Sequence, residues 1–119
     1  MSYKNKIIVI DDDVSIVETF SELLEELGVT VVGKGYNGKD AVELYKEHAP
    51  DIVFLDVIMP EYDGFYALAR IKELNPNAKI VVTTADMRQS SISKLQEYKI
   101  DMIIYKPIDV EQIIQIIRN

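Results

Sequence analysis

Short apolar runs alternate with amphipathic stretches along the whole chain. Ile7–Ile10 is a run of four apolar residues and predicts a buried strand. After it, Val17, Phe20, Leu24 and Leu27 recur at helical spacing, with Ile16 and Leu23 beside them, so a helix is expected over about 14–27. Gly28 is placed to stop it. The same alternation repeats four more times. Val29–Val32 predicts a second strand, and Ala41, Val42, Leu44 and Tyr45 a helix that Pro50 ends. Asp51–Leu55 predicts a third strand, and a helix follows Gly64 and stops before Asn75-Pro76. Ile80–Thr83 is the fourth strand and about 88–98 the fourth helix. Met102–Tyr105 is the fifth strand, and Asp109 can cap a last helix carrying Val110, Ile113, Ile114 and Ile117.

Five strand–helix units in a row imply an α/β fold, a doubly wound (βα)5 parallel sheet covered by helices on both faces. Strands apolar on both sides fit a sheet with no solvent face. Right-handed crossovers then bring the C-terminal ends of all strands to one edge, where open α/β sheets bind their ligands.

Charged and hydroxyl residues gather at that edge. Asp11, Asp12 and Asp13 follow the first strand, Asp56 the third, Thr83-Thr84 end the fourth, and Lys106-Pro107 follow the fifth. If the first and third strands are neighbours, two or three carboxylates converge. Such a cluster resists joint ionisation unless a cation joins it. Oxygen ligands without histidine or cysteine suit a hard ion, and Mg²⁺ is the simplest choice. Lys106 could pair with a carboxylate or a phosphoryl oxygen, and the Thr84 hydroxyl could donate to the same oxygen. Together these are the parts of a phosphoryl-transfer site in which a carboxylate is the acceptor.

Composition narrows the function further. The chain has 119 residues, the size of one domain, so residues 1–119 are expected to form a single unit. It contains no cysteine, which removes disulfides, zinc fingers and thiol chemistry and suits a reducing, cytoplasmic setting. The net charge of −7 disfavours direct nucleic-acid binding. No apolar run is long enough for membrane insertion, and no signal peptide is expected. His48, the single histidine, falls at a helix C-terminus, where the dipole favours it, and is read as structural.

In its motifs the chain resembles the response-regulator receiver domain of two-component signalling, of the stand-alone chemotaxis or phosphorelay type. The resemblance covers essentially the whole chain. It rests on Asp11-Asp12, the segment from Asp56 to Gly64, Thr84-Ala85 and Lys106-Pro107, each at the end of the appropriate strand. It implies the flavodoxin-like strand order 2-1-3-4-5. It also implies Asp56 as phosphoacceptor, and Asp11, Asp12, Asp56 and the Ile58 backbone carbonyl as ligands of Mg²⁺. Thr84 would bond the phosphoryl group, Lys106 would ion-pair with it, and the Lys106-Pro107 bond would be cis. The implied partners are a histidine kinase or histidine phosphotransfer protein, and a downstream target that reads the surface of helix 4, strand 5 and helix 5. The chain would be a phosphorylation switch rather than an enzyme, either acting by direct contact without an attached output domain or forming part of a larger protein.

Two positions depart from the family pattern. Ile103 stands where an aromatic residue is usual three before the lysine, with Tyr105 on the same side of the strand. Lys99-Ile100 stands where Gly-Ala is usual, so Lys99 is either strained or in a different turn. Asp13 is read as a helix cap rather than a ligand, and Tyr98 and Tyr105 as candidates for a partner surface. Gly33-Lys34-Gly35-Tyr36-Asn37-Gly38 fits a dinucleotide-binding fingerprint. A nucleotide or flavin carrier would leave Asp11, Asp12, Thr84 and Lys106 unexplained, so those glycines are read as a flexible turn. An aspartyl-phosphate hydrolase is the other alternative, disfavoured by the lack of a substrate-cap insertion.

Overall fold

The computed structural model describes residues 6–60, 62–85 and 88–118. The elements follow in the order β1 (Lys6–Ile10), α1 (Val14–Glu26), β2 (Thr30–Gly35), α2 (Gly38–His48), β3 (Ile52–Asp56), α3 (Gly64–Leu74), β4 (Ile80–Thr84), α4 (Gln89–Gln96), β5 (Met102–Tyr105) and α5 (Val110–Arg118). All strand pairs are parallel and the sheet order is β2-β1-β3-β4-β5. The fold is the one the sequence pattern predicts, and the strand order is the one the family resemblance implies.

The alternation of side chains along each strand divides the core into two layers. Ile8, Ile10, Val53, Leu55, Ile80 and Val82 face the buried sides of α2, α3 and α4. Ile7, Val9, Ile52, Phe54, Val81 and Ile104 face α1 and α5, where Val17, Phe20, Leu24, Ile113, Ile116 and Ile117 meet them. In α5 the buried positions include Ile116, while Val110 is exposed; the helix turns a different edge to the sheet than its first apolar residue suggests.

Helix ends explain much of the local order. Asp13 caps α1 by accepting from the backbone N–H groups of Ser15 and Ile16, at 3.0 and 3.3 Å. Gly28 follows with φ 93°, the left-handed stop expected of it. Asn37 caps α2 and accepts from Asp40 N, while the Asp40 carboxylate accepts from Tyr36 N. Asp109 accepts from Glu111 N at the start of α5. Lys99 has φ 52°, so of the two expectations for it the strained one holds.

One expectation is overturned. Gly33 and Gly35 do not form a flexible turn; they are the end of β2, which starts at Thr30. The β1–β2 register slips between Ile7 and Ile8, so that Gly33 pairs with Ile8 and Gly35 with Ile10. A Cβ at Gly35 would lie 2.7 Å from Ile10 Cδ1 and 2.8 Å from Asp40 Cβ, and one at Gly33 would lie 2.8 Å from Leu44 Cδ2. The glycines therefore let α2 sit close on the strand. With this backbone committed to the β1–β2 ladder, the fingerprint match is not a phosphate-cradling loop.

Candidate functional site

The sheet order sets β1 beside β3, and this brings the acidic strand ends together. Asp11 is the first residue past β1 and is tied to β2 through Asp11 N, which donates to the Gly35 carbonyl at 3.2 Å. One Asp11 oxygen accepts from Asp13 N at 3.0 Å. Asp56 ends β3, and α3 begins close above it. Gly64 N donates to the Val57 carbonyl, and a Cβ on Gly64 would meet the Asp56 carbonyl oxygen and Val57 Cα at 2.6 Å each. Only a glycine allows that approach.

Carboxylate oxygens of Asp11, Asp12 and Asp56 all lie within 4.8 Å of one another. Asp11 and Asp56 are buried, at 3 % and 4 % exposure, and Asp12 is exposed. Lys106 reaches in from the end of β5. Its Nζ lies 2.7 Å from Asp11 Oδ2 and 3.7 Å from Asp56 Oδ1. Its backbone N–H donates to the Thr84 carbonyl at 2.9 Å, and the Lys106-Pro107 bond is cis. These residues line an open cavity of about 490 Å³ together with Asp13, Ile16, Ile58, Ala85 and Arg88.

Electrostatics follow from this crowding. Asp56 is raised from an ordinary 3.8 to about 7. Burial is the main cause and the charges of Asp11 and Asp12 add to it; the Lys106 charge and a hydrogen bond from the Ile58 backbone oppose it. For Lys106, burial pushes the ammonium down. The hydrogen bond to Asp11 and the charges of Asp56, Asp11 and Asp12 outweigh burial and hold it above the ordinary lysine value.

Three carboxylates, two of them buried, with no nitrogen or sulfur donor among them, are a hard-oxygen donor set able to hold a metal ion. Their repulsion is what a divalent cation relieves. The cluster expected from the sequence, Asp11, Asp12, Asp56, Ile58 and Lys106, thus comes together at one cavity. Thr84 lies next to the cluster, its carbonyl bonded to Lys106 N. The residue is buried at the end of β4 and does not line the cavity. Thr83, on the sheet face of Val81, is the residue opposite Asp56 in the β3–β4 register. Arg88 was not singled out from the sequence. Its signal was a basic residue four places past Thr84, in the connection leaving the same sheet edge.

The family model for the response regulator receiver domain matches residues 7–118. The chain belongs to that family. As a receiver domain it is similar to the chemotaxis protein CheY of Bacillus subtilis (strain 168), 34% identical over 115 residues that cover 97% of this chain and 96% of the relative. It is also similar to the chemotaxis protein CheY of Thermotoga maritima, 32% identical over 110 residues, 92% of each chain. Among solved structures, a BeF3-activated DrrB receiver domain is 31% identical with a TM-score of 0.81, over 99% of this chain and 96% of that one. The CheX–CheY–BeF3–Mg²⁺ complex from Borrelia burgdorferi is 27% identical with a TM-score of 0.87, over 93% of this chain and 84% of that one. Among the described residues no helix of the receiver is long and apolar enough to cross a membrane.

Proposed function

We propose that this receiver domain is a phosphorylation switch whose acceptor is Asp56. One observation carries the reading: Asp56 is a buried carboxylate crowded by Asp11 and Asp12 and faced by the Lys106 ammonium. The donor is a phosphohistidine on a histidine kinase or histidine phosphotransfer protein, met in the cytoplasm. An Asp56 oxygen attacks phosphorus. An O–P bond forms, the P–N bond breaks, and its electron pair leaves with the imidazole, which takes up a proton from solvent. Asp11, Asp12, Asp56 and the Ile58 carbonyl would hold Mg²⁺, which when bound would set positive charge against the phosphoryl oxygens.

The protein's own residues do the rest. Lys106, already beside Asp56, turns its ammonium to the new dianionic group. Thr84, at the end of β4, turns its hydroxyl to donate to the same group. That movement, passed through the β4–β5 pair, alters the α4–β5–α5 surface that a downstream protein reads. The domain promotes only its own phosphorylation and dephosphorylation.

The test is intact-mass spectrometry after treatment with acetyl phosphate and magnesium. The expected result is gain of one phosphoryl group, localised to Asp56 and lost in Asp56→Asn. Labelling elsewhere, or full labelling of a folded Asp56→Asn, refutes the assignment. Rapid hydrolysis of many donor equivalents with no accumulated label would instead favour a hydrolase.

A further inference from the structure

The cavity wall carries a second cation besides Lys106. Arg88 lines the same cavity from the side of β4, and it is exposed. Among the described residues four with carboxylates line that space, Asp11, Asp12, Asp13 and Asp56. Lys106 is held among them, 2.7 Å from Asp11 and 3.7 Å from Asp56. Counted over the described lining residues, and with a divalent cation bound, the formal charges of the wall sum to zero. Without Arg88 it would keep one net negative charge. A dianionic donor entering such a mouth is repelled or admitted according to that one charge. A guanidinium also offers parallel N–H donors that match two phosphoryl oxygens.

We propose that Arg88 is a specificity-determining residue that draws in and orients small dianionic acyl phosphates ahead of transfer to Asp56. The proposal rests on the reading of Asp56 as acceptor. In the transfer it serves, an Asp56 oxygen bonds to phosphorus, the acyl O–P bond breaks, and the carboxylate leaves with the electron pair; no proton is gained or lost. Arg88 acts on the donor, so its effect scales with donor charge.

The capping of α4 does not depend on this side chain. Arg88 is at the N-cap of α4 but makes no side-chain capping hydrogen bond there. The N–H groups of Ser91 and Ile92 donate to its backbone carbonyl, which any residue provides.

The experiment compares wild type, Arg88→Ala and Arg88→Lys. Labelling by acetyl phosphate, a dianion, and by phosphoramidate, a net monoanion, is followed by intact mass at several ionic strengths with magnesium. For Arg88→Ala the rate constant with acetyl phosphate should fall roughly fivefold, the scale of one exposed ion pair. The fall with phosphoramidate should be smaller, so that donor selectivity shifts. The salt dependence should become shallower, and Arg88→Lys should recover part of the loss. In a separate titration with acetonylphosphonate, a non-reacting analogue, the Arg88 side-chain N–H resonance of the magnesium-loaded wild type should move. Equal selectivity and salt dependence in Arg88→Ala, or an unmoved Arg88 resonance, overturns the proposal. If wild type takes no label, the acceptor reading fails, and the titration still decides whether Arg88 binds the donor.

Discussion

The perturbed acidity of Asp56 makes a stability prediction that needs no phosphodonor. In the unfolded chain its carboxyl ionises near 3.8, and in the folded one near 7. Between about pH 4 and 7 the folded protein keeps a proton that the unfolded chain has lost. Stability must therefore fall as pH rises through that window and level off above it. At about 1.4 kcal/mol per tenfold change, the ionised carboxylate costs the fold about 4 kcal/mol at pH 8. Asp56→Asn keeps the shape and removes the charge. Its amide sits less well beside the Lys106 ammonium, so the expected gain is about 2–4 kcal/mol at pH 8, or on the order of 10 °C in melting temperature. At pH 4 the gain should vanish. Urea unfolding followed by circular dichroism at pH 4, 6 and 8, in chelator, measures it. Added magnesium should stabilise wild type at pH 8 and narrow the gap, because binding favours the ionised folded state. Equal midpoints at pH 8, or a difference that does not shrink toward pH 4, would refute the reasoning.

Two further substitutions test the backbone around the site. Lys99→Gly should stabilise the protein by about 1 kcal/mol, read by urea unfolding, because Lys99 has φ 52° and glycine takes that conformation without strain. Gly64→Ala should cost about 3 kcal/mol, since the added Cβ would meet the backbone of Asp56 and Val57 at 2.6 Å; acetyl phosphate labelling of the surviving folded protein should slow with it.

The strands were readable because each is a short apolar run, and the parallel sheet followed from their alternation with helices. The convergence of Asp11, Asp12, Asp56 and Lys106 was readable because each directly follows such a run. Periodicity did not supply the neighbour relation of β1 and β3; that came with the family resemblance. The β2 glycines were misread for a physical reason. Glycine is a poor strand former, and the register slip at Ile7/Ile8 breaks the two-residue alternation that marks a strand. What holds Gly33 and Gly35 in β2 is the nearness of Leu44 and Asp40 on α2, a tertiary fact. The proton on Asp56 was equally hidden, since it depends on burial and on the distance to Asp11. So was the place of Arg88 on the cavity wall.

Lys106 is where the site meets the rest of the sheet. Its side chain is shared between Asp11 and Asp56, and its backbone N–H is bonded to the Thr84 carbonyl. Its chain neighbour Tyr105 pairs with Thr84 in the β4–β5 register, and Ile103 pairs with Val82. Ile103, which stands where the family usually has an aromatic, packs against the core layer under α2, α3 and α4, along with Phe65 and Tyr98. The rings of Phe65 and Tyr98 lie 6.3 Å apart, tilted by 43°, with Lys94 of α4 4.0 Å from the Phe65 ring centre. An isoleucine there has no hydroxyl to exchange between solvent and core, so a readout at this position works by packing alone. Tyr105, the aromatic of β5, is half-buried, next to Lys106 in the chain and opposite Thr84 in the register. On the proposed switch, the departure at Ile103 would change how the surface responds and leave the geometry of Asp11, Asp56 and Lys106 as it is.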